Sequence, residues 1–517
     1  MNTRPQHVTA SDAPATKRTN ISVGVASVAD VVLASGGVVS VAVLLFFAYH
    51  YTWVRDREFN SLLGMLVCIF LPAATGLLFF TSFALMTPSQ RINLAIVCSS
   101  IAIALGTAEA IAATILSSVE RAHRLDLRQR AEIARRGGRT FDTRTPLELI
   151  HHLRDQGIDA VGYVSPMEAY IGPAVQNYQD APFLRLHGQN VIPLGGISGH
   201  PTILCNEAGE YVTYDSDEHG FNNPKGLWSA GASDILIVGD SFAHGACVPS
   251  DKSFGALLRQ RYPKTISVAY MGNGPLVELA ALAEYGRFLS PSVVLWCYYE
   301  GNDLLDLRNE RSSRLLDGYM TDGFTHDLLN VQSQIDSALG KYMERQLVSG
   351  PPMRPQQRLG LGTIAGVASH VRLPALRSHF GVVYGTEADP FESELALFQN
   401  IVSKAGTRTK AWNGQLYFVY LPAWSRYSNE ATESEASGLG RRSRILGLIN
   451  ALHIPVIDLH TAFQAHADPV SLFPLRLRGH YTEQGHALVA AEILKAIGAR
   501  ATPPADAVES KSRHDGR

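Results

Sequence analysis

The chain has 517 residues, 45 Lys and Arg against 47 Asp and Glu, and a formal net charge of -2. At 46% hydrophobic it is no disordered tail protein, and its balanced charge lacks the basic excess that holds proteins on phosphate backbones, so nucleic acid is a poor partner. Five cysteines, Cys68, Cys98, Cys205, Cys247 and Cys297, form an odd set without CxxC spacing, which argues against a disulfide framework and against structural zinc.

Residues 1–22 read as a disordered tail. From 31 to 54 there is no charged residue, 59–86 is again uncharged, and 92–118 contains one acid, Glu109. A bilayer needs about 20 apolar residues per helix, so the pattern predicts three transmembrane spans within 23–119. A signal peptide competes only for the first run, and it would follow a long polar leader. Glu109 lies mid-span, where a carboxylate is costly; an interior acid bonded to Thr107 or Thr114 is the ordinary reading, a proton or ligand site the sharper one. Arg4, Lys17, Arg18 and Arg91 flank the spans on one side, and Arg55, Arg57 and the arginines between 121 and 139 on the other. That count places the C-terminal part in the cytoplasm, although long domains translocate largely regardless of charge.

Residues 120–139 interleave Arg with Glu120, Asp126 and Glu132 at helical spacing, and read as a juxtamembrane helix touching lipid headgroups. It opens a linking region, 120–229, in which 202–224 reads as a β-hairpin around Gly209 and Glu210, with no chemistry assigned. Beyond it, five short apolar runs at 234–238, 265–270, 292–299, 415–421 and 453–459 alternate with helical stretches. That alternation predicts a five-stranded parallel sheet in a three-layer α/β/α sandwich over 230–500, with right-handed crossovers. An excursion at 307–389 is too long for an ordinary connection and reads as an inserted helical cap. Residues 501–517 read as a second disordered tail.

In open α/β sheets ligands bind beyond the carboxyl ends of the strands. Asp240 and Ser241 follow the first strand here, Gly272 the second, Asn302 and Asp303 the third, and His480 lies beyond the fifth. Those are the parts of acyl transfer: a hydroxyl nucleophile in Ser241, a general base in His480, and oxyanion donors in the Ser241 N–H, the Gly272 N–H and the Asn302 amide. Asp240 and Asp303 read as turn formers, Cys247 as a buried structural thiol, and His486 as a helix residue near the surface. His244 either lines the pocket or covers the helix start.

The blocks Gly239-Asp240-Ser241-Phe242, Gly272, Gly301-Asn302-Asp303 and His480 to His486 resemble the four blocks of the SGNH (GDSL-like) hydrolase superfamily. The resemblance covers about 233–497 and implies a flavodoxin-like fold, ester hydrolysis or acyl transfer through an acyl-serine, and no metal or other cofactor. Related membrane-tethered proteins act on acyl groups of exported glycans, which implies an inner-membrane protein with its catalytic domain outside the cytoplasm. One departure matters: the family's Asp, two or three residues before the catalytic His, is replaced here by Arg478 and Leu477. Asp458, at the end of the fifth strand, is then the candidate orienting acid. A catalytically silent SGNH fold that binds a glycan or a partner is the alternative, and transport through the helices rests on Glu109 alone.

Overall fold

The computed structural model describes residues 23–49, 70–116, 119–169, 184–186, 188–311, 313–349, 390–428 and 440–501. The chain forms two units, Met1–Leu116 with Gly360–Ala388, and Ser117–Leu359 with Asp389–Arg517. The expected tail 1–22 lies outside the described residues, and of the expected tail 501–517 only Ala501 is described, as the last residue of a helix.

The first unit holds helices α1 (Val23–Tyr49), α2 (Leu71–Leu85) and α3 (Pro88–Leu116). Three spans were expected; two helices here are long and apolar enough to cross a membrane, over Gly24–Ala42 and Pro88–Ala108, while α2 has 15 residues. Residues 59–69 of the expected second span lie outside the described set. The first apolar stretch starts earlier than expected and takes in Asp30, whose carboxylate meets Arg91 Nη1 at 2.8 Å. Small residues let α1 and α2 approach: a Cβ on Gly36 would lie 2.5 Å from the Phe79 ring, and one on Gly76 would lie 3.2 Å from Ser40 Cβ. Glu109 falls in α3, with its side chain outside the described set.

The second unit opens with α4 (Val119–Arg136), then α5 (Pro146–Asp155), where Thr145 and Glu148 cap the helix reciprocally and Pro146 takes the first-turn position. Strand β1 (Val161–Gly162) pairs in parallel with β4 (Pro201–Cys205), and β4 pairs antiparallel with β5 (Val212–Asp215), which is the expected hairpin. Strands β2 (Leu184–Leu186) and β3 (Gln189–Val191) form a separate small hairpin.

Five parallel strands follow: β6 (Ile235–Val238), β7 (Thr265–Ser267), β8 (Val293–Tyr299), β9 (Gln415–Leu421) and β10 (Val456–Asp458), in the order β10-β9-β8-β6-β7. Side chains alternate between faces with a period of two, and here both faces are covered. Leu236, Val238, Val294, Trp296, Phe418 and Tyr420 face one core, closed by α8 (Pro275–Ala281), α11 (Pro390–Lys410) and α12 (Arg441–Ala451). Ile235, Ile237, Leu295, Val419 and Leu421 face the other, closed by α7 (Phe254–Arg259), α13 (Leu459–Ala465) and α14 (Glu483–Ala501). The sheet is therefore the middle of three layers. After α6 (Ser241–His244), the rim also carries α9 (Asp303–Glu310), which follows β8, and α10 (Gln332–Ser349) belongs to the insertion. Helix α10 packs on the linking segment, where Asp336 accepts from Ser198 N and Oγ at 2.9 and 2.8 Å. Residues 350–389 of the insertion lie outside the described set.

Candidate active site

Strand β6 ends at Val238, and the chain turns through Gly239 into the four-residue helix α6. Only glycine fits at that turn, since a Cβ on Gly239 would lie 2.6 Å from Ala243 Cβ and 3.0 Å from Cys297 Cβ. Asp240 caps α6 by accepting from Phe242 N at 2.9 Å, the turn-forming role expected of it. Ser241 is thereby held at the carboxyl end of β6, its Oγ donating to Asp240 Oδ2 at 3.4 Å. Burial pushes the Asp240 carboxyl up to about 6.

His480 sits on the loop leading into α14. Its Nδ1 lies 2.9 Å from Glu207 Oε1, and its backbone N–H donates to Glu207 Oε2 at 2.8 Å. One carboxylate thus grips both ring and backbone. With a carboxylate as partner Nδ1 carries the proton, which leaves Nε2 as the basic nitrogen. Gly479 makes the approach feasible, because a Cβ there would come within 2.5 Å of Glu207 Oε2. The imidazole packs on Phe242, the residue after Ser241, with ring centroids 4.9 Å apart.

Burial pulls His480 down, but the charge and hydrogen bond of Glu207, with the charge of Asp240, more than reverse it and leave the ring above its ordinary 6.5. Burial pushes Glu207 up, and His480 together with the Arg130 guanidinium outweighs this and leaves the carboxyl below its ordinary value.

Asp458, the expected orienting acid, is engaged elsewhere: its Oδ1 caps α13 by accepting from His460 N at 3.1 Å, and its Oδ2 pairs with Arg442. The structure brings Glu207 to His480 instead. Glu207 lies in the turn between β4 and β5, the hairpin to which no chemistry was assigned. The Arg478 guanidinium, which would oppose protonation of His480 if close, stands over the Trp424 ring at 5.8 Å.

Helix α4 forms where a helix was expected, with one face turned into the protein. Leu127, Arg130 and Ala134, on one helical face, are buried. Arg130 donates to Asp126 Oδ2 at 2.8 Å, to the Glu207 carbonyl at 3.4 Å and to the Arg478 carbonyl at 2.6 Å. It clips together the two backbone segments that carry the carboxylate and the imidazole. Arg135 and Arg136 remain exposed, paired with Glu132.

The cysteine reading is corrected as well. Cys205 and Cys247 form a disulfide with Cα atoms 5.2 Å apart, so Cys247 is no free thiol. The bond ties the end of β4, two residues before Glu207, to the chain six residues after Ser241. Among the described residues Cys98 and Cys297 are free.

Gly272 has φ +89, and a Cβ there would meet Ser165 Oγ at 2.1 Å, so the second block is glycine for two reasons. Among the described residues neither the Ser241 nor the Gly272 N–H enters a hydrogen bond. The Asn302 amide nitrogen donates to Asp306 Oδ2 at 2.7 Å, while its buried Oδ1 has no partner among the described residues. Asp303 accepts from Tyr299 N at 2.8 Å, again a turn former. His244 is buried, stacks on Tyr270 and accepts from Met271 N at 3.3 Å, so it holds the second block in place. His486 is fully buried rather than near the surface, its Nδ1 accepting from Phe254 N at 3.3 Å. Burial, with the charge of His480, pulls both rings down to about 3, so both are neutral and neither is a proton carrier.

Together these features define an α/β protein whose sheet rim carries a serine at a strand-to-helix turn and a histidine oriented by a glutamate. No family model matches the chain, and no curated protein matches it. Solved structures similar to it include a putative acylhydrolase from Bacteroides fragilis, 13% identical, with a TM-score of 0.26 over 52% of this chain and 88% of that one. A lipase/acylhydrolase from Enterococcus faecalis is 14% identical, with a TM-score of 0.28 over 52% of this chain and 96% of that one. An α/β hydrolase enzyme from the metagenome of Lake Arreo is 15% identical, with a TM-score of 0.26 over 53% and 98%. At these scores the likeness adds nothing to the site, which stands on this chain's own residues.

Proposed function

We propose that the protein is a serine ester hydrolase or O-acyltransferase working through an acyl-serine. The observation that carries this reading is the two-point grip of Glu207 on His480, which fixes the tautomer a general base needs beside a serine at a nucleophile turn. His480 Nε2 takes the Ser241 proton as Oγ attacks the ester carbonyl, and the imidazolium so formed is stabilised by Glu207. The Ser241 and Gly272 N–H groups, with the Asn302 amide, receive the oxyanion. His480 then returns the proton to the leaving alcohol, and water or an acceptor hydroxyl releases the acyl group by the reverse path.

For Ser241 to reach His480 its hydroxyl must leave Asp240; catalytic hydrogen bonds of this kind often tighten only with substrate bound. Burial pushes Asp306 up to about 8, so at neutral pH it is protonated; with the Asn302 amide turned over from the orientation described above, Asp306 donates to Oδ1 and the amide N–H groups are free for the oxyanion.

A catalytically silent reading draws its support from the missing acid before His480 and from the large insertion; Glu207 removes the first of these grounds. The membrane-crossing length of two helices supports a membrane-anchored enzyme, and the Cys205–Cys247 disulfide supports an oxidising compartment, hence a catalytic unit outside the cytoplasm. O-acyl groups of a glycan are the substrate class that the sequence resemblance implies.

The test is hydrolysis of a short-chain aryl acetate by the full-length protein in detergent. Ser241→Ala and His480→Ala are expected to lose at least 10³-fold in kcat/KM while staying folded. A folded wild type without turnover, or an active Ser241→Ala, overturns the assignment.

A further inference from the structure

We infer that reduction converts the Cys205–Cys247 disulfide and His480 into a site for a soft divalent cation, zinc above all, and that filling it disables the base. The regulatory half rests on the reading of His480 as general base; the metal site does not. The two sulfur atoms and a ring nitrogen of His480 all lie within 4.8 Å of one another. A tetrahedral zinc with Zn–S of about 2.3 Å and Zn–N of about 2.0 Å places its ligand atoms roughly 3.5–4 Å apart, so the set is already at the scale of one ion once the S–S bond is open. Two thiolates and a neutral imidazole are a ligand set that selects zinc over magnesium or calcium.

The arrangement does not come from neighbouring residues in sequence. Cys205 ends β4, Cys247 has a left-handed backbone at φ 59 beyond α6, and His480 precedes α14, so three separate elements converge there. Cys247 is buried against Leu204, Tyr214 and Ala246, an apolar setting in which bare thiolates are disfavoured and a bound cation relieves the charge.

The chemistry balances. A dithiol reductant delivers two electrons and two protons to the disulfide, yielding two thiols and its own cyclic disulfide. Zinc then binds both sulfurs as thiolates and releases two protons. His480 cannot act as base while ligated: through Nε2 it loses the lone pair that accepts from Ser241, and through Nδ1 it must leave Glu207.

The test uses the full-length protein, oxidised or reduced with dithiothreitol and freed of reductant under anaerobic conditions, with cobalt(II) and then zinc as probes. The reduced protein is expected to take up one cobalt with thiolate-to-metal charge-transfer bands that zinc bleaches, and the oxidised protein to show none. Cys205→Ser should abolish the bands, which separates this site from Cys68, Cys98 and Cys297, and His480→Ala should weaken cobalt binding at least tenfold. Zinc should lower aryl acetate turnover of the reduced wild type at least tenfold, reversed by a chelator. Absent bands in the reduced wild type, or binding unchanged in His480→Ala, would overturn the inference. An oxidised wild type without turnover overturns the esterase reading alone, since the cobalt spectrum does not depend on activity.

Discussion

Glu207 decides how His480 behaves. Because its carboxylate holds the ring above the ordinary 6.5 and a base must be neutral to accept a proton, kcat/KM should rise with pH through a limb lying above that value. Glu207→Gln should lower kcat by roughly 10³–10⁴-fold, as loss of the orienting acid does in related triads, and should move the limb to lower pH because the stabilising charge is gone. Asp458→Asn should leave turnover within a few-fold, since Asp458 serves Arg442 and the α13 cap. Steady-state pH profiles of the three proteins check both statements. Gly479→Ala tests the same contact from the other side: a methyl aimed at Glu207 Oε2 from 2.5 Å must push the carboxylate away, and activity should fall toward that of Glu207→Gln.

Helix α4 ties the region after the apolar helices to the catalytic loop through one buried guanidinium. Arg130→Met keeps the stem and removes the bonds to the Glu207 and Arg478 carbonyls, so kcat should drop by about 10²-fold with KM little changed, the mark of a misplaced base rather than lost substrate binding. Equal loss in kcat and thermal stability, with an unmoved pH profile, would make Arg130 merely structural. The five parallel strands and the four rim blocks were legible because each is a local signal: a short apolar run, then a turn with glycine or a polar cap. Glu207, Arg130 and the Cys205–Cys247 bond were not, because each acts across hundreds or tens of residues through contacts that leave no local trace. Glu207 is one of 47 acids, and nothing in the hairpin pattern marks it. An odd cysteine count likewise gives no sign that one pair meets in space.

At the scale of the molecule the rim is rich in buried acid. Asp306 and Glu310 are pushed by burial to about 8 and about 7, Asp240 to about 6, and Glu278 and Asp303 upward in the same direction. A carboxyl whose folded pKa lies above its unfolded value binds more protons when folded, so stability is greatest below the unfolded pKa and falls as pH rises toward the folded one. His244 and His486, neutral when folded, act in the opposite sense below about 6.5, so the net loss of thermal stability in the second unit is expected above that, as pH rises from about 6.5 to about 8, where the raised His480 adds to it. Glu278→Gln, which removes a buried acid whose two oxygens have no partner among the described residues, should flatten that slope; a midpoint that climbs steadily with pH in wild type would contradict it. The same accumulation of acid lies beside the proposed nucleophile, so stability and activity are expected to pull against each other as pH rises.

An activated serine at the end of β6 is tested most directly by labelling with a fluorophosphonate followed by peptide mass mapping. One adduct per chain is expected, on Ser241, formed in wild type, slowed by orders of magnitude in Glu207→Gln and absent in Ser241→Ala. An adduct on another residue, or a folded wild type that stays unlabelled, would contradict it.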